Sequence, residues 1–252
     1  MKTIAKWALW QRRWSIFWWT LGILAFVFLT LIFYPTIKGQ TAQLDKSFAQ
    51  IPRPAKRLFT DTSDIFSPVG YLSSQIFYLL LPLLLSIFAI SMGISLLGKE
   101  ERDSTIEMLL ARPISRARLL FGKAKAGLEA MVIVAVVTAV FTSVMSHLVK
   151  VNVSFLYIFE TALVAALLAL CFGAITFMLA AMGRAGRALS IAVAAGIGLG
   201  GYIIVSLEPS VSWLRWPAKI FPFSYYHSAD LLTGKYNFAN LIYFGCLIAG
   251  CL

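Results

Sequence analysis

Long apolar runs alternate with shorter polar segments along most of the chain. Five of the runs are about as long as the roughly 20 residues that cross a bilayer as a helix. They cover residues 14–34, 71–97, 127–148, 155–182 and 188–207. A sixth run opens at Phe238 and reaches Leu252, short of a full span. The pattern predicts an all-α polytopic membrane protein with six transmembrane helices, the last incomplete (238–252), in a single transmembrane domain.

The polar segments predict how the chain is oriented. Residues 1–13 carry four basic residues among Ile4, Trp7 and Trp10, which is typical of an amphipathic helix lying in the cytoplasmic interface. Segments 35–70 and 208–237 are predicted to lie outside. With the N-terminus inside, 13 of the 22 Lys and Arg residues fall on the cytoplasmic side and 9 outside. Both short basic loops agree with this orientation, which predicts a cytoplasmic N-terminus.

The segment 98–125 differs from the other loops because it is densely charged. It carries four of the eleven acidic residues and seven of the 22 basic ones. Ser104 and Glu107 have the spacing of a capping box, which predicts that a helix begins there. Pro113 disfavours helix in the residue before it, and Ser115 has the right chemistry to cap the next helix. A short helix between two spans is therefore predicted.

This short helix has an apolar stripe. Ile106, Leu109 and Leu110 follow the i, i+3, i+4 spacing of one helical face on an otherwise polar element. The stripe lies either on lipid headgroups and its own bundle or on a partner protein, and spacing alone leaves both open.

Composition narrows the class of protein. Hydrophobic residues make up 60% of the chain, charged residues 13%, and the mean hydropathy is +0.82. The net charge of +11 would indicate nucleic acid in a soluble chain, but here the basic residues lie between apolar runs, so no nucleic-acid partner is expected. Cys171, Cys246 and Cys251 have no paired spacing, so neither a disulfide nor a metal site is expected.

Two glycine motifs match nucleotide-binding loops in their residue letters but not in their sequence context. The stretch 93–100 fits seven places of a phosphate-binding loop, but Glu100 stands where a magnesium-binding hydroxyl is required and no strand precedes it. No ATP site is therefore expected on this chain. Gly196 and Gly200 form a small-xxx-small pattern inside an apolar run, which indicates close helix packing.

Glu129 and Glu160 are the acidic residues within or at the edge of predicted spans. A carboxylate inside the membrane is a candidate for a transport pathway, although both also lie near enough to a boundary to reach the interface. No protease or hydrolase motif accompanies them, so the chain is not expected to be an enzyme.

The string ERDSTIEMLLARPISRARLLFGK, residues 101–123, resembles the cytoplasmic loop of ABC transporter permeases of the type-2 exporter family. That loop combines an acidic pair, a Thr-hydrophobic-Glu step, a Leu pair, Arg-Pro-hydrophobic-Ser-Arg and Gly-Lys. The stretches 221–226 and 231–234 are similar to the segment before the last helix of that family, although the short sixth run departs from its pattern.

The resemblance implies a permease in the cell (inner) membrane that forms half of an exporter pore. Its partners would be a second permease subunit, identical or a sister chain, and two copies of a cytoplasmic ATPase subunit that binds ATP and Mg²⁺. In the family this loop docks on the ATPase as a coupling helix. The residues that the resemblance assigns to ATPase coupling are Glu100, Glu101, Ser104, Ile106, Glu107, Leu109, Leu110, Arg112, Pro113, Ser115, Arg116 and Arg118.

A competing interpretation is a membrane scaffold or assembly factor without transport activity, with the aromatic segment 208–237 as its partner site. The sequence does not identify a cargo.

Overall fold

A computed structural model describes residues 2–38, 52, 55, 57–62, 64–65, 67–102, 116–182 and 186–251. These residues form helices and turns without a β-strand. Five helical segments are long and apolar enough to cross a membrane: Ala5–Ile37, Pro68–Leu96, Ala117–Leu148, Phe155–Ala181 and Arg187–Ser210. The prediction of an all-α polytopic membrane protein is confirmed. The sixth apolar run forms a shorter helix, Asn240–Cys251.

The first helix, α1, runs without interruption from Lys2 to Ile32, and a short helix α2 (Tyr34–Lys38) follows it. The predicted interfacial segment, residues 1–13, is thus continuous with the first span from Lys2 onward, and its position in the interface stays a prediction. No proline interrupts residues 2–32, and Ala5 and Ala8 are buried against the bundle. The small side chains of Ala5 and Ala8 let this part of the helix pack closely on the bundle.

The second crossing is assembled from three pieces. Helix α3 (Pro68–Leu72) leads into a π-helical turn (Ser73–Phe77), and helix α4 (Leu80–Arg102) completes the crossing. The backbone N–H of Tyr78 donates to the Ser73 carbonyl, 2.7 Å away and five residues back. Pro82 has no N–H to donate to the Tyr78 carbonyl, so the irregular geometry lies just before the proline.

Helix α6 (Phe155–Ala181) is the centre of the bundle. It packs on α4, on α5 (Arg116–Leu148), on α7 (Arg187–Leu207) and on α10 (Asn240–Cys251). Its buried face contains five alanines and Gly173, small residues that allow neighbouring helix backbones to approach closely. Helix α1 packs mainly on α5.

The helices alternate in direction, so the bundle has two ends. We call the end that holds the start of α1 the N-terminal end and the other the opposite end. The opposite end carries residues 57–62, 64–65 and 67, helix α8 (Arg215–Ala218) and helix α9 (Ser228–Thr233). Tyrosine hydroxyls at or near this end donate to main-chain carbonyls of other elements: Tyr71 to Thr30, Tyr78 to Arg57, Tyr202 to Leu58, Tyr226 to Phe77, and Tyr236 to Tyr225.

A polar cluster around Asp61 joins the segment that holds this residue to the π-helical turn and to helix α9. The Ser73 hydroxyl donates to Oδ1 of Asp61 at 2.5 Å, and the Ser228 hydroxyl donates to Oδ2 at 2.9 Å. The backbone N–H of Ala229 also donates to Oδ2, at 3.0 Å. Both serines are fully buried, and their oxygens lie 2.8 Å apart. The carboxylate, an acceptor only, therefore satisfies two buried hydroxyls and the first turn of α9.

Nearby Tyr226 is also fully enclosed. Burial raises the pKa of its hydroxyl well above the ordinary value, and the charge of Asp61 acts in the same direction. The hydroxyl therefore stays protonated at physiological pH and keeps its donor role toward the Phe77 carbonyl, 2.8 Å away.

The tightest helix crossing lies between α4 and α6, at Gly93 and Gly173. A Cβ added at Gly93 would lie 2.6 Å from the Gly173 carbonyl oxygen, and one added at Gly173 would lie 3.0 Å from the Cβ of Ala89. Gly196 and Gly200, the predicted packing pair, have no described atom within 4 Å of an added Cβ. They do not pack against the described helices of this chain, because they lie on an open face of α7.

Replacing Gly93 with alanine should lower the free energy of unfolding by about 1–3 kcal/mol, since the new methyl group must displace the α6 backbone. Thermal unfolding in detergent measures the effect. Gly22→Ala is the matched control, because nothing lies within 4 Å of its added Cβ. The control should be neutral or slightly stabilising, since alanine favours helix. Equal melting temperatures for the two variants would contradict the tight crossing.

Candidate coupling site at the N-terminal end of the bundle

The predicted coupling segment is flanked by two long helices whose ends the structure describes. Helix α4 continues through Glu100 and Glu101 to Arg102, and helix α5 begins at Arg116. Arg118 lies in the first turn of α5 and is exposed. Both helices reach the N-terminal end of the bundle, so residues 103–115 connect two helices that run in opposite directions.

The remaining predicted coupling residues lie outside the described part of the chain. They are Ser104, Ile106, Glu107, Leu109, Leu110, Arg112, Pro113 and Ser115. The coupling helix and its apolar stripe stay predictions.

Two cations bind consecutive carbonyls of α4 next to this segment. Nη2 of Arg12, on α1, donates to the Ser95 carbonyl at 2.5 Å. Nζ of Lys123, on α5, donates to the Leu96 carbonyl at 2.7 Å. We call Arg12, Lys123 and these two carbonyls the cationic clasp. It joins three helices within about two turns of the end of α4.

Lys123 is the most unusual member of the clasp because its side chain is inside the bundle. Only 2% of the residue is exposed, whereas lysines are almost never fully buried without a partner. An ammonium removed from water needs acceptors for its hydrogens, and the Leu96 carbonyl supplies one of them. A hydrogen bond from a charged donor is about twice as strong as a neutral one.

The clasp lies beside a small apolar cluster. Ala5 and Ala8 of α1, Leu96 of α4, Ala126 of α5 and Phe177 of α6 are all buried together there. Four helices thus meet at the N-terminal end through small or apolar side chains, and the two cations lie among them.

The sequence did not predict that Arg12 or Lys123 would contact α4. Lys123 was counted with the basic residues of a solvated loop, because the span was predicted to begin at residue 127. The helix begins earlier, at Arg116, and the spacing of Lys123, Ala126, Ala130 and Val134 follows one buried face. A prediction that began this helix at residue 116 would have placed Lys123 on the face toward the bundle.

The two predicted pathway residues are not brought together. Glu129 forms an exposed i, i+4 pair with Lys125, at 3.7 Å, with side-chain exposures of 39% and 45%. Glu160 lies in the second turn of α6 at the opposite end and is partly exposed. Neither carboxylate lines the small cavity between α4, α5, α6 and α10, and a pathway role for either stays a prediction.

A small cavity of about 80 Å³ lies between α4, α5, α6 and α10. Residues such as Met92, Gly93, Leu96, Gly127 and Gly173 line it, and none of the lining residues is charged. Its volume is well below the roughly 300–1,000 Å³ of sites for drug-sized ligands. It is a small apolar cavity beside the close crossing of α4 and α6.

Comparison with known proteins identifies the family. No curated protein and no solved structure shows a significant match to the chain. Residues 3–212 match the family described as ABC-2 family transporter protein. The match includes the five long helical segments and the connection between α4 and α5. This multi-pass membrane chain therefore belongs to the ABC-2 family of transporter proteins, as its resemblance to type-2 ABC permeases predicted.

Proposed function

We propose that the chain is the permease subunit of an ATP-driven exporter and that separate cytoplasmic ATPase subunits drive it. The observation that carries the proposal is the family match over residues 3–212, which includes the segment 103–115 between α4 and α5. ATP and Mg²⁺ bind to the ATPase chains. The sequence supports this division, since Glu100 occupies the place where a phosphate-binding loop needs a hydroxyl.

The N-terminal end of the bundle is the cytoplasmic end in this proposal. Lys2, Lys6, Arg12, Arg13 and the basic residues in the described ends of α4 and α5 lie there, in agreement with the positive-inside rule. In a bacterial host the protein is located in the inner membrane, with its N-terminus in the cytoplasm. The tyrosine-rich opposite end is external.

A second permease chain, identical or a sister, completes the pore. Helices α1 and α7 are the least buried of the five long segments. Gly196 and Gly200 lie on the open face of α7, where a helix of another chain has room to approach closely. These open faces support a dimer.

Coupling works by population shift in this proposal. ATP binding favours the closed ATPase dimer, and the docked segment 103–115 passes that closure to the ends of α4 and α5. Since both helices cross the bundle, moving their ends changes the packing around α6 and favours the outward-releasing state.

Co-purification tests the proposal. The full-length chain, extracted from its host in mild detergent at low salt, should bring down an ATPase subunit with measurable ATP hydrolysis. Native mass spectrometry should give two permease chains and two ATPase chains. Recovery of the chain alone, without hydrolysis, would contradict the proposal and favour the scaffold, whose partner surface would include the exposed Trp213 and Trp216.

A further inference from the structure

We propose that residues 211–220, at the opposite end of the bundle, bind an anionic phospholipid. Two cations of this segment hold the phosphate of the headgroup, and three exposed apolar side chains enter the acyl region of the same leaflet. We call residues 211–220 the basic aromatic segment. The inference goes beyond the proposed function, since it requires neither transport nor an ATPase.

Two faces of the basic aromatic segment are apolar, and only one of them is covered by the chain. Leu214 and Ala218 are buried and fix the segment on the bundle, where α8 packs on α7. Trp213, Trp216 and Ile220 point outwards, and 72%, 82% and 72% of these residues is exposed. Leaving three large apolar side chains in water is unfavourable, so this face requires an apolar cover.

The segment lies at the boundary of the membrane-spanning part of the chain. Helix α7 ends at Leu207, but the chain has turned back by Phe221, since a Cβ added at Gly201 would lie 2.6 Å from Cδ1 of that ring. Gly201 is about 9 Å before the end of α7 along the helix axis. The carbonyl of Ile220 accepts a hydrogen bond from the hydroxyl of Tyr243, in the first turn of α10. Ile220 therefore lies beside two apolar helices, at a depth where its exposed side chain meets acyl chains.

The two cations of the segment are one helical turn apart. Arg215 begins α8, and Lys219 follows its last residue with helical backbone angles, φ −62° and ψ −18°. Like charges at this i, i+4 spacing repel each other and destabilise the turn, and an anion between them removes that cost. Both residues are exposed, and neither forms an ion pair within the part of the chain that the structure describes. The pair is therefore suited to an anion from outside the chain.

Trp216 connects the cationic face to the apolar face. Nζ of Lys219 lies 5.4 Å from the centroid of the Trp216 ring. Tryptophan is enriched at the level of lipid headgroups, and basic residues at this level attract anionic lipids. An anionic phospholipid matches the whole surface, because its phosphate meets the cations while its acyl chains meet Trp213 and Ile220. A soluble protein would cover the cations but would not reach the depth of Ile220.

Photocrosslinking from Trp213 tests the proposal at the segment itself. Trp213→p-benzoylphenylalanine places the reactive group on the exposed apolar face and leaves the contact between Trp216 and Lys219 intact. The full-length chain, with any subunit that co-purifies, is reconstituted into vesicles of equal parts phosphatidylglycerol and phosphatidylcholine. After irradiation and digestion, mass spectrometry measures the ratio of the two lipids attached to the peptide that contains residue 213.

Two double variants are compared on this background. Arg215→Gln with Lys219→Gln removes the proposed phosphate ligands. Arg57→Gln with Lys235→Gln is the matched control, because it removes two exposed positive charges from the same end of the bundle. The main-chain acceptor that residue 57 offers to a tyrosine is kept in this control.

Phosphatidylglycerol should exceed phosphatidylcholine among the adducts of the parent protein. The ratio should fall roughly five- to thirtyfold in the Arg215, Lys219 variant, which is the effect of one to two basic residues at an anionic membrane surface. It should stay close to the parent value in the control. Raising the salt concentration should lower the preference of the parent protein, since exposed charges are screened, and this measurement does not depend on how well a variant folds.

Three results would overturn the inference. The first is a parent protein whose adducts contain the two lipids in equal amounts, or no lipid. The second is an equal ratio in the two double variants. The third is a protein-sized adduct when the same crosslinker is irradiated in host membranes, because it would show that a partner protein or a second copy of the chain covers the tryptophans.

Discussion

Replacing both Leu109 and Leu110 with aspartate should release the ATPase subunits from the permease. The two leucines and Ile106 form the apolar stripe predicted from the sequence. Burying a leucine side chain contributes about 1.5–3 kcal/mol, so losing two such contacts and introducing two charges should weaken association by roughly a hundredfold or more. Quantitative co-purification, with each permease variant normalised to the amount recovered from the membrane, measures the loss.

Leu109→Met combined with Leu110→Met is the matched control, because methionine keeps the stripe apolar and similar in volume. This variant should retain the ATPase. The aspartate variant should still insert into the membrane, since the segment lies between two helices and not within a span. ATPase recovery at the wild-type level with both aspartates present would rule out the stripe as the contact, and would favour the alternative in which it lies on lipid headgroups or on its own bundle.

Replacing Asp61 with alanine should destabilise the opposite end of the bundle by about 2–4 kcal/mol. The carboxylate accepts hydrogen bonds from two buried serine hydroxyls and one backbone N–H, and removing it leaves buried donors unsatisfied. For a chain of this size we expect the melting temperature to fall by roughly 5–15 °C. Thermal unfolding followed by tryptophan fluorescence measures the change.

Asp64→Ala is the control for Asp61. Asp64 is exposed, and it is its backbone carbonyl that accepts from Ser67, so truncating its side chain removes no hydrogen bond that the structure describes. The melting temperature of Asp61→Asn should lie between those of Asp61→Ala and Asp64→Ala. The amide keeps one acceptor oxygen, but its NH₂ group places donors against hydroxyls that already donate. A common melting temperature for Asp61→Ala and Asp64→Ala would disprove the role assigned to the carboxylate.

The helices were predictable because hydrophobic length alone requires them. A run of about 20 apolar residues can satisfy its backbone in a membrane only as a helix or within a closed barrel, and barrel strands are much shorter. Family membership was also predictable, because the motif in residues 101–123 combines several residue types at fixed spacing. What these signals have in common is that they are local in sequence.

The contacts that organise the two ends were not predictable, because they join residues far apart in the chain. Arg12 bonds to a carbonyl 83 residues later, and Ser228 to a carboxylate 167 residues earlier. The acceptors of the clasp are main-chain carbonyls. Since every residue has one, the sequence does not show which of them will accept a hydrogen bond. The glycines show the same limit. The spacing of Gly196 and Gly200 shows that two small residues share a helix face, but it does not show whether that face meets a neighbouring helix.

The tyrosine contacts of the opposite end have a consequence for how this surface can change. In each of them the phenol hydroxyl binds a peptide carbonyl, a group that every amino acid supplies. Substitutions at Arg57 or Leu58 therefore leave the acceptors of Tyr78 and Tyr202 in place as long as the backbone keeps its course. The surface that the protein presents outside its bundle can thus acquire new side chains, and new recognition properties, while the tyrosines beneath it keep the same framework.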